Sequence, residues 1–302
     1  MGVLTIGTRG SPLALSQARW VAEQLRAQGT ASCIRVIRTA GDRASGVSLA
    51  ALAAQRGVKG VFTKEIEDAL IAGGIDLAVH SLKDLPTEID ERLALGCIPA
   101  RADPRDALLG RRLAELRPGD RVGTGSLRRA EQLRALVPGV EIAAVRGNVG
   151  TRLRKLRSGQ YDAIVLAAAG LERLGLLDDD AELLGPAQMV PAVGQGALGI
   201  EVRAGDARVM EAVAAIHDAR AASEVEAERS LLRALGGGCG VPLGGNATCH
   251  AGGLTLQAAA ALRQGGLARL EQGAPAGDAV VLGIAVAGRL RALGIAGSGP
   301  DV

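Results

Sequence analysis

The chain has 302 residues, enough for two or three domains. A hydrophobic fraction of 48% with 22% charged residues is typical of a globular protein and excludes a disordered one. The net charge is only +3 and aromatic residues make up 1% of the chain, so binding of single-stranded nucleic acid by base stacking is not expected. No apolar run is long enough to span a membrane, and Met1 leads directly into a predicted strand, so we expect a cytoplasmic protein.

Short apolar runs alternate with helical patterns along most of the chain. Ser11 and Pro12 provide the N-cap and first-turn signals of the first helix, and Gly29 ends it. Strands are predicted at 3–7, 34–37, 76–80, 122, 141–145 and 162–167, and helices at 65–71, 127–136, 153–156, 207–216, 224–235 and 278–293, with another around Leu171. Strands that alternate with helices favour an α/β fold with largely parallel pairing.

Two breaks that contain proline divide the chain, at 99–104 and at 190–196. We therefore expect three domains, formed by 1–99 with 197–217, by 100–196, and by 218–302. The first two share a short sequence similarity at a strand-to-helix junction, Gly-Thr-Arg-Gly-Ser at 7–11 and Gly-Thr-Gly-Ser at 123–126. This similarity is expected of two similar lobes between which the chain crosses twice.

Arginines cluster at the turns that lead from strands into helices. Residues 101–157 contain 14 Lys and Arg against 6 Asp and Glu, a surplus of 8. Helix N-termini and arginine forks both favour carboxylate or phosphate groups, so these turns predict an anion-binding face. The turns do not match the phosphate loop or the dinucleotide fingerprint, and a solvated basic face is the alternative interpretation.

Polar residues follow a predicted buried strand in the segment VHSLKDLP at 79–86. Ligands of open α/β sheets collect at the carboxyl ends of strands, so Asp84 is a candidate acid, base or stabiliser of positive charge. The alternative is an Asp that caps a helix and a surface Lys83. His80 is interpreted as a core or turn histidine rather than as a ligand.

Cys239 lies in the segment Gly-Gly-Gly-Cys-Gly, where small neighbours leave the thiol accessible as a nucleophile or an attachment point. Cys33 and Cys97 lie in apolar contexts that predict core positions. No pair of cysteines has C-x-x-C spacing, so no metal site is expected.

Taken together, these segments resemble the porphobilinogen deaminase (hydroxymethylbilane synthase) family. The matching stretches are IGTRGSPLAL at 6–15, VHSLKDLP at 79–86, RADPRDA at 101–107, GTGSLRR at 123–129, RGNVGTRL at 146–153, YDAIVLAAAGLERL at 161–174, VGQGALGIE at 193–201 and GGGCGVP at 236–242. They occur in family order over most of the chain, and the match weakens after residue 248.

The resemblance implies an α/β fold of three domains, two periplasmic-binding-protein-like lobes joined by a two-strand hinge plus a smaller α/β C-terminal domain. It implies a transferase of haem and tetrapyrrole biosynthesis that joins four porphobilinogen molecules head to tail, releases ammonia, and frees a linear tetrapyrrole by hydrolysis. The cofactor would be a covalent dipyrromethane, and no metal would be needed. A monomer that binds neither nucleic acid nor membrane fits the family.

The resemblance also assigns roles to individual residues. Asp84 would be catalytic, at the pyrrole N–H groups, and Cys239 would carry the cofactor through a thioether. Lys83, Ser126, Arg128, Arg129 and Arg152 would bind the cofactor carboxylates, and Arg9, Ser11 and Arg146 would bind the substrate and the growing chain. Lys59, Phe62 and Lys64 would belong to a loop that closes over the active site.

The chain departs from the family pattern beside the cofactor cysteine. Gly236 stands where many members have Glu, and Gly240 replaces a larger residue. The departures predict a more flexible loop but leave the thiol position clear.

Two other classes of function fit parts of the sequence. A two-lobed anion-binding protein would share the fold without requiring Asp84 or Cys239, and would normally carry an export signal. A transferase with a cysteine nucleophile and another anionic substrate would need a base near Cys239, for which His217 and His250 are available in the sequence.

Overall fold

The computed structural model describes residues 2–39, 63–237 and 242–296. In chain order the strands are β1 (Leu4–Thr8), β2 (Ser32–Val36), β3 (Leu77–Ser81), β4 (Leu93–Cys97), β5 (Asp106–Gly110), β6 (Arg121–Gly123), β7 (Glu141–Ala143), β8 (Ala163–Ala167), β9 (Glu182–Leu184), β10 (Leu198–Arg203), β11 (Leu243–His250), β12 (Gly253–Ala261) and β13 (Leu267–Ala274). The α-helices are α1 (Pro12–Ala27), α2 (Lys64–Ile71), α3 (Leu127–Leu136), α4 (Val149–Arg157), α5 (Ala168–Glu172), α6 (Ala207–Ala214), α7 (Ala219–Ala234) and α8 (Ala279–Ala292).

The chain forms two compact units. The first contains Met1–Ala102 and Ala197–Ala222, and the second contains Asp103–Gly196 and Ser223–Val302. The first two boundaries lie near the breaks predicted from proline, while the C-terminal residues group with the middle of the chain.

A mixed sheet with the strand order β2-β1-β3-β10-β4 lies in the first unit. Helix α1 covers one face, because Ala18, Val21 and Leu25 recur at helical spacing and are buried against β1. Burying a side chain such as Leu25 contributes about 1.5–3 kcal/mol relative to its exposed state. Trp20 packs, partly buried, at the margin of the same core.

The second unit repeats this pattern in the order β7-β6-β8-β5-β9. In both sheets the first three strands pair in parallel, and the last two join by antiparallel pairing. The expectation of largely parallel pairing is therefore correct for only half of the strand pairs in these two sheets. It fails for the other half because β10 and β5, the fourth strands of the two sheets, run antiparallel to both of their neighbours.

The C-terminal part of the second unit is an antiparallel sheet, β11-β12-β13, packed against α7 and α8. The two helices approach closely at Gly283, where a Cβ atom would lie 2.4 Å from the carbonyl oxygen of Ala227. Glu228 of α7 is fully buried and accepts hydrogen bonds from the backbone N–H groups of Gly194 and Ala247. This carboxylate therefore ties the C-terminal sheet to the segment that precedes β10.

Among the described residues, no helix is both long and apolar enough to cross a membrane.

Candidate active site

The first group of predicted site residues lies where β1 leads into α1. Ser11 is the N-cap of the helix, and its Oγ accepts a hydrogen bond of 3.2 Å from the backbone N–H of Ala14. Pro12 follows in the first turn, so the predicted start of this helix is confirmed. Arg9 is half-buried between the strand and the cap. The cap leaves the N-terminus of a 16-residue helix beside an arginine, which favours anions at this position.

The second group follows β3, which lies next to β1 and runs parallel to it. A 3-10 turn at Leu82–Asp84 buries Leu82 and leaves Lys83 and Asp84 exposed. Within the described part of the chain, the Asp84 carboxylate has no hydrogen-bond or ion-pair partner. Because parallel strands end at the same edge of a sheet, this turn and the start of α1 lie on one edge.

A pair of hydrogen bonds fixes the two groups to each other. The Nε2 of Gln17 in α1 donates to the Ser81 Oγ at 2.7 Å, and that hydroxyl lies 3.1 Å from the Gln17 Oε1. Ser81 immediately precedes the turn that carries Lys83 and Asp84. The sequence analysis gave Gln17 no role, because a single glutamine on a helix carries no signal of its own.

In the second unit, Arg128 and Arg129 at the start of α3 are buried and share one carboxylate, that of Asp106. The Arg128 Nη1 lies 2.7 Å from the Asp106 Oδ2, and the Arg129 Nη2 lies 2.7 Å from the Oδ1. Ser126 caps the helix, and its Oγ accepts from the backbone N–H of Arg129. The structure thus brings the three predicted residues together and adds an aspartate that the sequence analysis did not assign.

A signal for Asp106 does exist in the sequence. It is the only charged residue of the strand Asp-Ala-Leu-Leu-Gly, which is otherwise apolar. A buried carboxylate needs a partner, and the available partners were the adjacent arginines 22 and 23 residues further on. No local spacing rule connects residues so far apart.

The charges of this cluster depend on one another. Burial would raise the pKa of Asp106, but Arg128 and Arg129 outweigh this effect and hold the pKa below its ordinary value. Burial lowers the pKa of Arg128, which Asp106 counteracts. Within the described residues, the Arg128 Nε is buried without a hydrogen-bond partner. A buried N–H donor without a partner is costly, so an acceptor from a ligand is favoured there.

Arg152 lies near this cluster, in the first turn of α4. Burial lowers the pKa of Arg152, and the charge of Arg129 lowers it further. The Arg152 Nε donates to the carbonyl oxygen of Gly147 at 2.7 Å. Gly147 has φ of +110°, a conformation that favours glycine, and a Cβ atom there would lie 2.7 Å from the Thr151 Cγ2.

Arg146 completes the set and is exposed at the turn before α4. Asn148 caps α4 by accepting from the backbone N–H of Thr151 at 2.9 Å. Since β6 and β7 are parallel, the two capped helices begin at the same edge of the sheet. That edge carries four arginines, Arg128, Arg129, Arg146 and Arg152, of which two share one buried aspartate. Such an excess of positive charge is suited to a ligand with several carboxylates.

Three predicted residues, Lys59, Phe62 and Cys239, lie outside the described residues. Lys64 is described and is the exposed first residue of α2. Cys239 falls in the connection between α7 and β11. Gly236 and Gly237 at the start of this connection have φ of +97° and +68°. The glycine that stands where many family members have Glu therefore adopts a conformation that Glu would rarely take.

Cys97 and Cys33 are the two cysteines that were predicted to lie in the core. Cys97 is buried, as predicted, and burial raises the pKa of its thiol to about 12. The prediction that Cys33 lies in the core is wrong: it is exposed, because β2 is an edge strand that packs against the core only through Ile34. The described residues contain no group of three or more metal-ligating side chains.

The histidines considered as bases for a cysteine nucleophile accept backbone hydrogen bonds. The His217 Nδ1 accepts from Ile98, and the His250 Nδ1 accepts from Gly252. His80 is buried with its Nε2 at 3.2 Å from the Glu201 Oε2, which confirms its interpretation as a core histidine.

Comparison with known proteins identifies the family. The family model of the porphobilinogen deaminase dipyromethane cofactor binding domain matches residues 4–211. That of the porphobilinogen deaminase C-terminal domain matches residues 222–292.

Curated relatives agree with this match. The porphobilinogen deaminase of Syntrophobacter fumaroxidans is 52% identical over 84% of this chain and 82% of its own length. That of Roseiflexus castenholzii is 48% identical over 95% of each chain, and that of Deinococcus radiodurans is 49% identical over 85% of this chain and 84% of its own.

Among solved structures, a periplasmic substrate-binding protein of an ABC transporter from Coxiella burnetii aligns with a TM-score of 0.44 and 17% identity, over 74% of this chain and 97% of that one. The methionine-binding protein MetQ aligns with a TM-score of 0.42 and 15% identity, over 74% of this chain and 94% of that one. The two family models together cover both the cofactor-binding and the C-terminal parts of the sequence. The chain belongs to the porphobilinogen deaminase family.

Proposed function

We propose that this chain joins four porphobilinogen molecules head to tail on a covalently bound dipyrromethane and then releases hydroxymethylbilane by hydrolysis. At each addition the C–N bond of the substrate's aminomethyl group breaks, ammonia leaves, and a C–C bond forms to the free α-carbon of the last pyrrole, which loses its proton. The family match supports this transferase reaction of tetrapyrrole biosynthesis. The observation that carries the proposal is the excess of arginines at one sheet edge.

The residues of the second unit fit the cofactor. Each pyrrole unit carries an acetate and a propionate, so a dipyrromethane presents four carboxylates. Ser126, Arg128, Arg129 and Arg152 would hold them, and the buried Nε of Arg128 is a donor that such a carboxylate would satisfy. When bound, the dipyrromethane supplies the free pyrrole carbon at which the first addition takes place.

The residues of the first unit would bind and activate substrate. Arg9 and Ser11, at the start of α1, would hold carboxylates of the substrate, and Lys83 would hold those of the cofactor. By the family pattern, Arg146 would also bind substrate carboxylates. Asp84 would accept hydrogen bonds from pyrrole N–H groups. Its negative charge would stabilise the positive charge that develops as ammonia leaves, and its carboxyl group would assist proton transfer to the leaving amine.

Cys239 would hold the cofactor through a thioether bond. As a further part of the proposal, the protein acts as a monomer in the cytoplasm and binds no nucleic acid. The mild net charge and the scarcity of aromatic residues support the last point.

The intact mass of the purified protein tests the proposal. The wild type, incubated with porphobilinogen if it is isolated without the cofactor, should exceed the sequence mass by two linked pyrrole units. Cys239→Ser should lack this excess, whereas Cys33→Ser, which removes an exposed thiol, should keep it. A wild type that gains no mass after incubation would overturn the proposal.

A further inference from the structure

The Asp106 carboxylate accepts side-chain hydrogen bonds from three different residues. Its carboxylate is fully buried at the start of β5. It accepts from the Arg128 Nη1 at 2.7 Å, the Arg129 Nε at 3.0 Å and Nη2 at 2.7 Å, and the Gln195 Nε2 at 2.9 Å. One side chain therefore fixes the orientation of two guanidinium groups.

The bonds to Asp106 decide which donors of the arginines remain for a ligand. The Arg128 Nη1 is used twice, by Asp106 and by the carbonyl oxygen of Val190 at 2.7 Å. The Arg129 Nη1 donates to the carbonyl oxygen of Val165 at 3.0 Å. The Arg128 Nε stays buried without a partner in the described part of the chain. Asp106 therefore contacts both guanidinium groups, and the Arg128 Nε, which does not contact Asp106, is left as a donor for a ligand.

The acceptors around this cluster are themselves held in place. The Gln132 Nε2 donates to the carbonyl oxygen of Val190 at 3.0 Å, and the Gln132 Oε1 accepts from the N–H of Val190 at 2.7 Å. The Gln195 Nε2 also donates to the carbonyl oxygen of Pro104 at 2.7 Å. An arginine held by such fixed groups loses little freedom when it binds an anion, which favours affinity.

We infer that Asp106 is a positioning residue of the cofactor site, which orients Arg128 and Arg129 toward the ligand carboxylates. The carboxylate also neutralises one of the two buried charges, so the pair binds anions with a net charge of +1 in a fixed geometry. The inference rests on the proposed function, because it assumes that these arginines bind the cofactor. It differs from a purely structural role, in which Asp106 would affect only the fraction of folded protein.

The test compares Asp106→Asn with Asp76→Asn, both measured per folded molecule. Asp76 of the first unit is a matched control, since its carboxylate also serves two arginines, with the Arg208 Nη2 at 2.6 Å and the Arg203 Nη2 at 3.6 Å. Each variant is prepared without cofactor and incubated with porphobilinogen, and the rate of the two-pyrrole mass gain is followed. Steady-state KM and kcat are then measured on the loaded fraction.

We expect Asp106→Asn to gain the cofactor at least about 10-fold more slowly than the wild type. The reason is that Arg128 and Arg129 would no longer be oriented to donate charge-assisted hydrogen bonds to the ligand carboxylates. KM should rise more than kcat falls, and Asp76→Asn should load at the wild-type rate. Equal loading rates of the two variants and the wild type would overturn the inference. A fall in the folded fraction alone, with normal loading of the folded molecules, would also overturn it.

A milder variant covers the case in which Asp106→Asn does not fold. Gln195→Met removes the hydrogen bond to Asp106 and the one to the carbonyl oxygen of Pro104 but leaves both ion pairs, so it should slow loading by about 2–5-fold. Wild-type loading by this variant would contradict the inference when Asp106→Asn is insoluble. Failure of the proposed function would look different, since the wild type itself would then gain no mass.

Discussion

The two five-stranded sheets have the same strand order and directions, and each buries one acidic residue in its fourth strand. In the first unit this residue is Glu201 of β10, and in the second it is Asp106 of β5. Glu201 faces a single histidine, whereas Asp106 faces two arginines and a glutamine. Glu201 pairs with Ala78 near the start of β3, whereas Asp106 pairs with Ala167 at the end of β8. Only Asp106 therefore lies at the sheet edge that carries predicted site residues.

The edge of the first sheet at which β1 and β3 end carries the half-buried Arg9 and two exposed charged groups. Lys83 and Asp84 are exposed on a tight turn, where a carboxylate is free to approach a substrate. The arginine-rich edge of the second sheet holds two of its four arginines, Arg128 and Arg129, inside the protein beside the Asp106 carboxylate. Under the proposed function, the first unit would supply the reacting group and the second would supply a site for carboxylates.

The largest effect should follow from Asp84→Asn. The exposed side chain has no structural partner within the described residues, so the fold should survive while turnover falls by about 10²–10⁴-fold, as is usual when a general acid–base group is lost. Activity assays beside circular dichroism would measure both. Near-wild-type turnover would remove Asp84 from the catalytic role and with it the contrast between the two edges.

The two buried acids should differ in their effect on stability. Asp106→Asn leaves two buried guanidinium groups without a charged partner and should lower the free energy of unfolding by about 3–5 kcal/mol. Glu201→Gln changes the contact with His80 and removes a negative charge near Glu67, and should cost about 1 kcal/mol. Urea unfolding of both variants measures the loss in the free energy of unfolding. Equal losses would show that the two acids contribute equally to stability.

Arg129→Ala should weaken cofactor assembly by about 10–100-fold, because it removes a charge-assisted donor and leaves Asp106 with one arginine. Arg134→Ala is the matched control, since Arg134 lies on the same helix, is exposed and, among the residues that the structure describes, pairs only with Glu131. The mass gain with porphobilinogen is the measurement. A fully loaded and fully active Arg129→Ala protein would contradict the assigned role.

The smallest effect concerns Glu67, which lies near Glu201 and His80. Burial raises the pKa of Glu67 above its ordinary value, and the charge of Glu201 raises it further. An acid whose pKa is raised in the folded state destabilises the fold at pH values above that pKa, and the penalty vanishes as the pH falls below the ordinary value of 4.5. Glu67→Gln should therefore be slightly more stable than the wild type at pH 7, and urea curves of the two proteins should converge near pH 4.

Local signals predicted much of this molecule. The cap formed by Ser11 and Pro12 and the helix Leu127–Leu136 appear where the sequence places them, because propensity and capping act over a few residues. The direction of β5 and the pairing of Asp106 with the arginines of α3 could not be read from the sequence. Both depend on contacts between distant segments, which no short pattern encodes.

The position of Trp20 beside the core of the first unit has a practical consequence for unfolding experiments. It is the single tryptophan of the chain, so its fluorescence follows the first unit alone. Circular dichroism follows both units together. If the two signals change at the same urea concentration, the units unfold as one cooperative system, and if they separate, fluorescence gives the stability of the half that carries Asp84.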